Sequence, residues 1–208
     1  MPIQLRLDEL TSTLDFDMAA QGLEAALQSR QLLPAGASLP QIWPSSLPAI
    51  CTSLDLSTAP QIVDLNPADP LLAKKFALFK RYRAALQRIE VNALVVRLEQ
   101  STANVAMPTL RLQAAVDVNA AADDDQAWVT LGTLPGASLG EVTDLPFTYA
   151  PGGESFLEAQ LLGASPRIAL RTRGLLKYDT DVDPLRPGGM ISLRIILATT
   201  FFVALDKL

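Results

Sequence analysis

Apolar and polar residues alternate in a series of short segments that begins near residue 92 and continues to the end of the chain. In residues 109–118, for example, Leu110, Leu112 and Ala114 occupy every second position. Successive side chains of a β-strand point to opposite faces of the sheet, so this alternation predicts strands with one buried face. Turn clusters, such as residues 120–125, 135–136 and 184–189, separate the predicted strands, which cover residues 92–98, 109–118, 128–134, 145–149, 168–172 and 191–205.

The last of these segments becomes apolar on both faces towards its end, where Phe201, Phe202 and Val203 are consecutive. Two apolar faces predict a strand in the centre of a sheet or one that a partner covers. One short helix, over residues 154–162, interrupts the series. Strands of this number and spacing predict a mainly β fold, an antiparallel β-sandwich of about seven to nine strands.

The N-terminal third of the chain predicts a helical and proline-rich region that packs on the sandwich. Alternation over residues 3–7 predicts a short strand, and Asp17 is the expected N-cap of a helix over residues 18–32. The prolines of residues 34–48 predict an extended segment, and its expected anchors are Trp43, Leu47 and Ile50.

A single domain over residues 1–208 accommodates all of these elements. We expect residues 1–68 to form the helical and extended packing region. Residues 69–89 are expected to form one amphipathic basic helix, and residues 90–208 the core of the sandwich.

The composition argues against several classes of function. The chain has 17 basic and 22 acidic residues, a formal net charge of −5, and no histidine. An acidic protein lacks the broad positive footprint that nucleic acid requires. Absence of histidine removes the commonest general base and zinc ligand, and the single cysteine, Cys51, excludes a cysteine-only metal site. We therefore expect no catalytic activity, no cofactor and no nucleic-acid partner.

Six basic residues and no acidic residue lie between positions 74 and 88. Asp69 and Pro70 are expected to start a helix there, and Phe76 and Phe79 belong to its apolar stripe. The bases occupy the remaining surface, either as a solubilising face or as a docking surface for an acidic protein or a second copy of the chain. The candidate interaction residues of this helix are Lys74, Lys75, Lys80, Arg81, Arg83 and Arg88.

Arg167, Arg171 and Arg173 alternate with apolar residues and are expected on the outward face of one strand. They could bind an anionic surface, or they could form a solvated face paired with acidic residues of neighbouring strands. Asp179, Asp181 and Asp183 resemble the start of a calcium-binding loop. Proline stands where that loop requires glycine, so the sequence favours a solvated hairpin tip.

Two stretches carry a resemblance to a known family. Residues 89–98, IEVNALVVRL, lead to residues 104–112, NVAMPTLRL, and the later segments LGTLP and PGGE follow in the same order. This arrangement resembles β-sandwich envelope lipoproteins of myxobacteria and related bacteria, over roughly residues 50–208. The resemblance implies an envelope-associated, non-catalytic β-sandwich. The chain differs from that family in lacking the leader and the lipid-attachment cysteine.

The expected function is that of a structural or adaptor subunit of a bacterial assembly, acting through contacts with a protein partner or with copies of itself. The alternative is a cell-envelope module that binds a lipid or another apolar ligand. Contact with a membrane surface stays open, but a membrane span is not expected, because the uncharged run of residues 31–54 contains four prolines. We expect the cell envelope if the natural protein loses a signal sequence, and the cytoplasm otherwise.

Overall fold

The computed structural model describes residues 2–65, 74, 76–116, 119, 124–138, 143–163 and 166–204. Strands dominate this part of the chain: β1 Pro2–Asp15, β2 Cys51–Ser57, β3 Gln61–Asp64, β4 Leu86–Ser101, β5 Leu110–Ala115, β6 Val129–Leu134, β7 Thr143–Leu145, β8 Thr148–Tyr149, β9 Arg167–Asp179 and β10 Met190–Val203. The helices are α1 Phe16–Ser29, α2 Ala77–Tyr82 and α3 Gly153–Leu162.

The strands form two antiparallel sheets. The first has the order β1-β10-β4-β7, and the second has the order β2-β9-β5-β6-β8, with β3 also paired to β9. Buried side chains of both sheets, such as Ile195 from the first and Leu112 from the second, belong to one hydrophobic cluster. This arrangement is consistent with a β-sandwich, and the prediction of a mainly β, antiparallel fold is confirmed.

Strand β10 lies between β1 and β4, in the interior of the first sheet. Phe201 and Val203 at its end are buried. Phe202, on the opposite face, is half-buried beneath the Arg88 guanidinium. Of the two alternatives for this segment, the structure shows the central strand.

Several predicted strands have different bounds in the structure. The segment 109–118 forms a strand only from Leu110 to Ala115, and Val116 is exposed. The segment 145–149 is divided between β7 and β8, which belong to different sheets and are separated by Pro146 and Phe147. Strands β2 and β3 have no counterpart in the prediction, because their short sequences alternate over too few residues.

Helix α1 begins two residues earlier than predicted. Strand β1 continues to Asp15, whose carboxylate accepts a hydrogen bond from the Met18 backbone N–H at 3.0 Å and caps the helix. The prediction of Asp17 as N-cap is therefore wrong. The helix ends at Ser29, and Leu32 beyond it is exposed.

Two of the three expected anchors, Trp43 and Ile50, hold the proline-rich segment, and Ile50 packs against the core and bonds to Thr180. The backbone N–H of Trp43 donates to the Pro184 carbonyl at 2.8 Å, and the Trp43 indole donates to the Pro48 carbonyl at 3.1 Å. Trp43 is buried and Ile50 is half-buried, whereas Leu47 is exposed and does not act as an anchor.

The predicted basic helix ends earlier than residue 88. After α2 the chain forms a 3-10 turn, Arg83–Ala85, and then enters β4 at Leu86. Leu86 pairs with Val203 of β10, and Ile89 pairs with Phe201. The end of β10 therefore forms interstrand hydrogen bonds that a continuing helix could not form. The expected start at Asp69 and Pro70 lies outside the described residues.

The turn after β9 does not close a hairpin, because β9 and β10 belong to opposite sheets. It forms a crossover between them. Asp179 accepts a hydrogen bond from the Asp181 backbone N–H, and Asp183 accepts one from the Leu185 backbone N–H. These aspartates therefore stabilise local turns of the crossover.

Candidate functional site

Helix α2 carries an exposed basic surface that buried aromatic side chains fix to the first sheet. Phe76 and Phe79 are buried, and the ring of Phe79 lies 5.1 Å from that of Phe201 in β10. Their burial on the apolar stripe agrees with the sequence. The short helix is thus held by its aromatic contacts, since six residues alone are too few for a stable helix.

Lys74, Lys80 and Arg81 are exposed, and we call these three residues the basic ridge. Arg81 lies 5.2 Å from the centre of the Tyr82 ring. Among the described residues none is an ion-pair partner of the ridge. Lys75, which the sequence also places on this surface, lies outside the described part of the chain.

Arg83 and Arg88 do not belong to the ridge. The Arg83 guanidinium donates to the Gly163 carbonyl and lies 5.0 Å from the centre of the Phe79 ring, which ties the 3-10 turn to the end of α3. Arg88 is a strand residue that stacks on Phe202 and forms an ion pair with Glu90 at 2.8 Å. The prediction that one helix presents all six cations is therefore wrong.

Arg171 is completely buried, although it projects from the outer face of the second sheet. The segment Asp125–Ala127 and Trp128 fold over this face, and the Arg171 guanidinium lies 4.1 Å from the centre of the Trp128 ring. Its Nε donates to the Gln113 side chain at 2.9 Å, and its Nη2 donates to Asp125 at 3.3 Å. The prediction of a solvated Arg171 is wrong, because residues distant in sequence cover it.

Arg173 and Arg167 follow the second of the two alternatives that the sequence left open. Arg173 forms ion pairs with Asp55 of β2 and with Asp125, and Arg167 pairs with Asp64 of β3 at 3.5 Å. Cross-strand acids thus neutralise both arginines. They are poorly placed to supply uncompensated charge to a partner.

The electrostatics of this face follow from the same contacts. Burial lowers the pKa of Arg171, and the positive charge of Arg173 lowers it further. The hydrogen bond that Arg173 donates to Asp55 raises the pKa of Arg173. This network of hydrogen bonds and ion pairs holds the covering segment on the sheet.

Sequence reasoning missed a cluster in which Arg186 connects the crossover to helix α1. Its guanidinium donates to Asp17 at 2.7 Å and to Glu24 at 3.3 Å, and the Gly189 backbone N–H also donates to Asp17. The hydrogen bond with Arg186 is the main cause of a lowered pKa at Asp17, followed by the one from Gly189. Asp17 and Glu24 are seven residues apart on one helix face, which is the only local signal of this cluster.

Comparison with known protein families, with curated proteins and with solved structures finds no match to the chain. The resemblance to envelope lipoproteins therefore stays a prediction. In the part of the chain that the structure describes, three or more acidic or cysteine side chains nowhere come together as metal ligands would. None of the described helices has the length and apolar character of a membrane span.

Proposed function

We propose that the protein is a non-catalytic adaptor subunit of a bacterial assembly, which binds an acidic protein partner through Lys74, Lys80 and Arg81. The main support is the state of these three cations: they are exposed, and no described acid pairs with them. By contrast, arginines elsewhere in the described chain form ion pairs, among them Arg88, Arg97, Arg167, Arg171, Arg173, Arg186 and Arg194.

The position of the ridge suits recognition of a protein surface. Burial of Phe76 and Phe79, and the contact of Phe79 with Phe201, hold the helix backbone in place, so ordering it on binding costs little entropy. The rest of the chain is acidic, since the whole carries a formal charge of −5. An acidic partner is therefore repelled by other surfaces and attracted to this one, which favours one binding orientation.

Crosslinking in the native bacterium tests this proposal. We expect the wild-type protein to crosslink to a stable acidic neighbour, and Lys80→Glu/Arg81→Glu to lose it. The control Arg111→Glu/Lys177→Glu changes the net charge by the same amount on the second sheet and should retain the neighbour. If no stable protein neighbour appears, or if both double variants keep it equally, the proposal is wrong.

The same variants also show whether the acidic partner is a second copy of this chain. Light scattering after size-exclusion chromatography would then give the wild-type protein a mass well above 22.3 kDa. Lys80→Glu/Arg81→Glu would return it to the mass of one chain. Arg83 is left unchanged in these variants, because its contact with Gly163 is structural.

A further inference from the structure

A cleft of about 790 Å³ lies on the outer face of the second sheet, and its volume is within the usual range of ligand sites. Outward side chains of β5, β6 and β9 form its floor. The segment 125–128, which covers Arg171, contributes Asp125 and Trp128 to its border. Because the floor belongs to three paired strands, their register fixes the spacing of its side chains.

Hydrogen-bond donors predominate among the side chains that line this cleft. The hydroxyl donors are Thr109, Thr130 and Thr133. Arg111, Gln113 and Arg173 add nitrogen donors. Asp125 is the one carboxylate among the described lining residues, and it already forms ion pairs with Arg171 and Arg173. Such a lining suits a ligand that carries several acceptor oxygens.

Arg111 gives the cleft its uncompensated positive charge. It is exposed, and it lies opposite Arg173 of the neighbouring strand β9. Arg173 is compensated by its ion pairs with Asp55 and Asp125. No described acid forms an ion pair with Arg111. Like charges at opposite positions destabilise a sheet, so the fold gains nothing from Arg111, whereas an anion would.

Gln113 presents a second donor, and its orientation is fixed. The residue is only 8% exposed, and its Oε1 accepts a hydrogen bond from the Nε of Arg171 at 2.9 Å. The amide nitrogen therefore takes the other position, where it has no hydrogen-bond partner in the described chain. An amide so nearly buried costs free energy unless its donors are used. Gln113 is thus a second indication of a ligand with acceptor oxygens in this cleft.

The two donors and the threonines form a compact array. Arg111 and Gln113 are two residues apart on one face of β5, which separates them by about 7 Å. Thr133 of β6 lies opposite Arg111, and Thr130 lies opposite Gln113. Opposite positions are about 5 Å apart. The array therefore has the dimensions of one sugar ring with its substituents.

Charge and donor type together select the class of ligand. A carboxylate carries one negative charge, which matches the single uncompensated Arg111, and a guanidinium binds it through two parallel hydrogen bonds. A phosphate monoester would bring almost two negative charges to one free cation. The hydroxyl groups of a sugar can accept from the Gln113 amide and exchange hydrogen bonds with the threonines. The exposed side chain of Leu175 can pack on the apolar face of the ring.

We infer that this cleft binds a carboxylated saccharide, with a hexuronate carboxylate on Arg111 and ring hydroxyls on Gln113 and Thr133. The inference goes beyond the proposed function, because the cleft and the basic ridge share no residue. An adaptor with both surfaces could attach an acidic polysaccharide to its protein partner.

Tetrasaccharides of galacturonate, mannuronate and glucuronate are the probes, and titration calorimetry measures their binding. We expect at least one of them to bind with a Kd below about 1 mM. Its carboxyl-reduced form has the same sugar rings without the charge, and it should bind about tenfold more weakly or not at all.

Variants locate this binding in the cleft. Arg111→Gln should weaken it about tenfold or more, and Thr133→Val, which removes one hydroxyl, about fivefold. Lys177→Gln removes a charge of β9 outside the cleft and should bind as the wild type does. A purely structural Arg111 would require Arg111→Gln to melt lower. We expect it to melt no lower than the wild type, because the like charge opposite Arg173 is gone.

The basic ridge is the other place where an anion could bind, so its variant separates this inference from the proposed function. Lys80→Glu/Arg81→Glu should lose the protein neighbour and keep the saccharide, and Arg111→Gln should do the reverse. The inference is overturned if no tetrasaccharide binds below about 1 mM, or if the carboxyl-reduced form binds equally well. Full affinity of Arg111→Gln, or loss of the saccharide in Lys80→Glu/Arg81→Glu, would overturn it as well.

Discussion

The guanidinium of Arg171 stacks on Trp128 at 4.1 Å, and the arginine side chain is completely buried on what would otherwise be the open face of the second sheet. Three polar contacts accompany the stacking: one with Gln113 and two that Asp125 makes, with Arg171 and Arg173. The segment 125–128 is thereby fastened to the sheet. These contacts make the outer face a structural part of the fold.

Arg171→Ala should lower the free energy of unfolding by about 3 kcal/mol, because it removes buried packing and the hydrogen bond to Gln113. Arg167→Ala, a change at an exposed ion pair of the same strand, should stay within about 0.5 kcal/mol of the wild type. Urea unfolding of both variants measures the difference. Equal losses would contradict the structural role of Arg171.

Two glycines of the helices should respond to alanine in opposite directions. Gly22→Ala should raise the free energy of unfolding by about 1 kcal/mol, since the new methyl group meets open space within α1. Gly153→Ala should lower it, because the Cβ would overlap the backbone of Leu131 at the start of α3. Thermal unfolding measures both changes, and a stabilised Gly153→Ala would show that α3 is placed differently.

Asp17→Asn should lower the melting temperature at neutral pH and have less effect in acid. The Arg186 hydrogen bond lowers the pKa of Asp17 in the folded protein, so its stabilisation is present above the unfolded value and is lost as the pH falls through the folded value. The melting temperatures of wild type and variant should begin to approach each other as the pH falls below about 4, and should meet only below the lowered pKa of folded Asp17. Asp181→Asn, at an exposed carboxylate of the crossover, is the control. If the difference in melting temperature between wild type and Asp17→Asn does not change with pH, the ion pair with Arg186 is contradicted.

Tyr149→Phe should protect the protein at alkaline pH. Burial, assisted by the charges of Glu154 and Glu158, raises the pKa of Tyr149 to about 12. A raised folded value favours the neutral phenol, so its stabilisation is present below about pH 10 and is lost as the pH rises towards 12. The hydroxyl has no hydrogen-bond partner among the described residues, so the variant should be as stable as the wild type at pH 7.

Melting temperatures at about pH 7 and about pH 11 test this prediction. The Tyr149→Phe variant should melt higher than the wild type only at the alkaline pH. The same change at the half-buried Tyr82 serves as the control. A loss of stability at neutral pH would mean that the Tyr149 hydroxyl has a stabilising partner.

Local patterns predicted the parts of the fold that depend on one face of one strand or helix. Leu110, Leu112 and Ala114 are buried as their alternation predicts, because burial of one sheet face fixes the register of a strand. Phe76, immediately before α2, and Phe79 within it are buried because their spacing places them on one side of the helix. Antiparallel sheets follow from several such segments separated by turns.

The predictions that were wrong concern residues whose positions depend on contacts with residues distant in sequence. Arg171 alternates with apolar residues as an exposed residue would, and only residues 125–128, more than 40 positions earlier, bury it. Leu86 and Ile89 continue the helical spacing of α2, yet pairing with β10 draws them into a strand.

A photoreactive amino acid at Ala77, an exposed position of α2 next to the basic ridge, tests the adaptor proposal most directly. Irradiation of living cells should crosslink this position to an acidic protein, whereas the same amino acid at exposed Lys177 of β9 should give no such product. Lys80→Glu/Arg81→Glu should abolish the product at Ala77. Absence of a protein crosslink at Ala77, or its persistence in this double variant, would contradict the account.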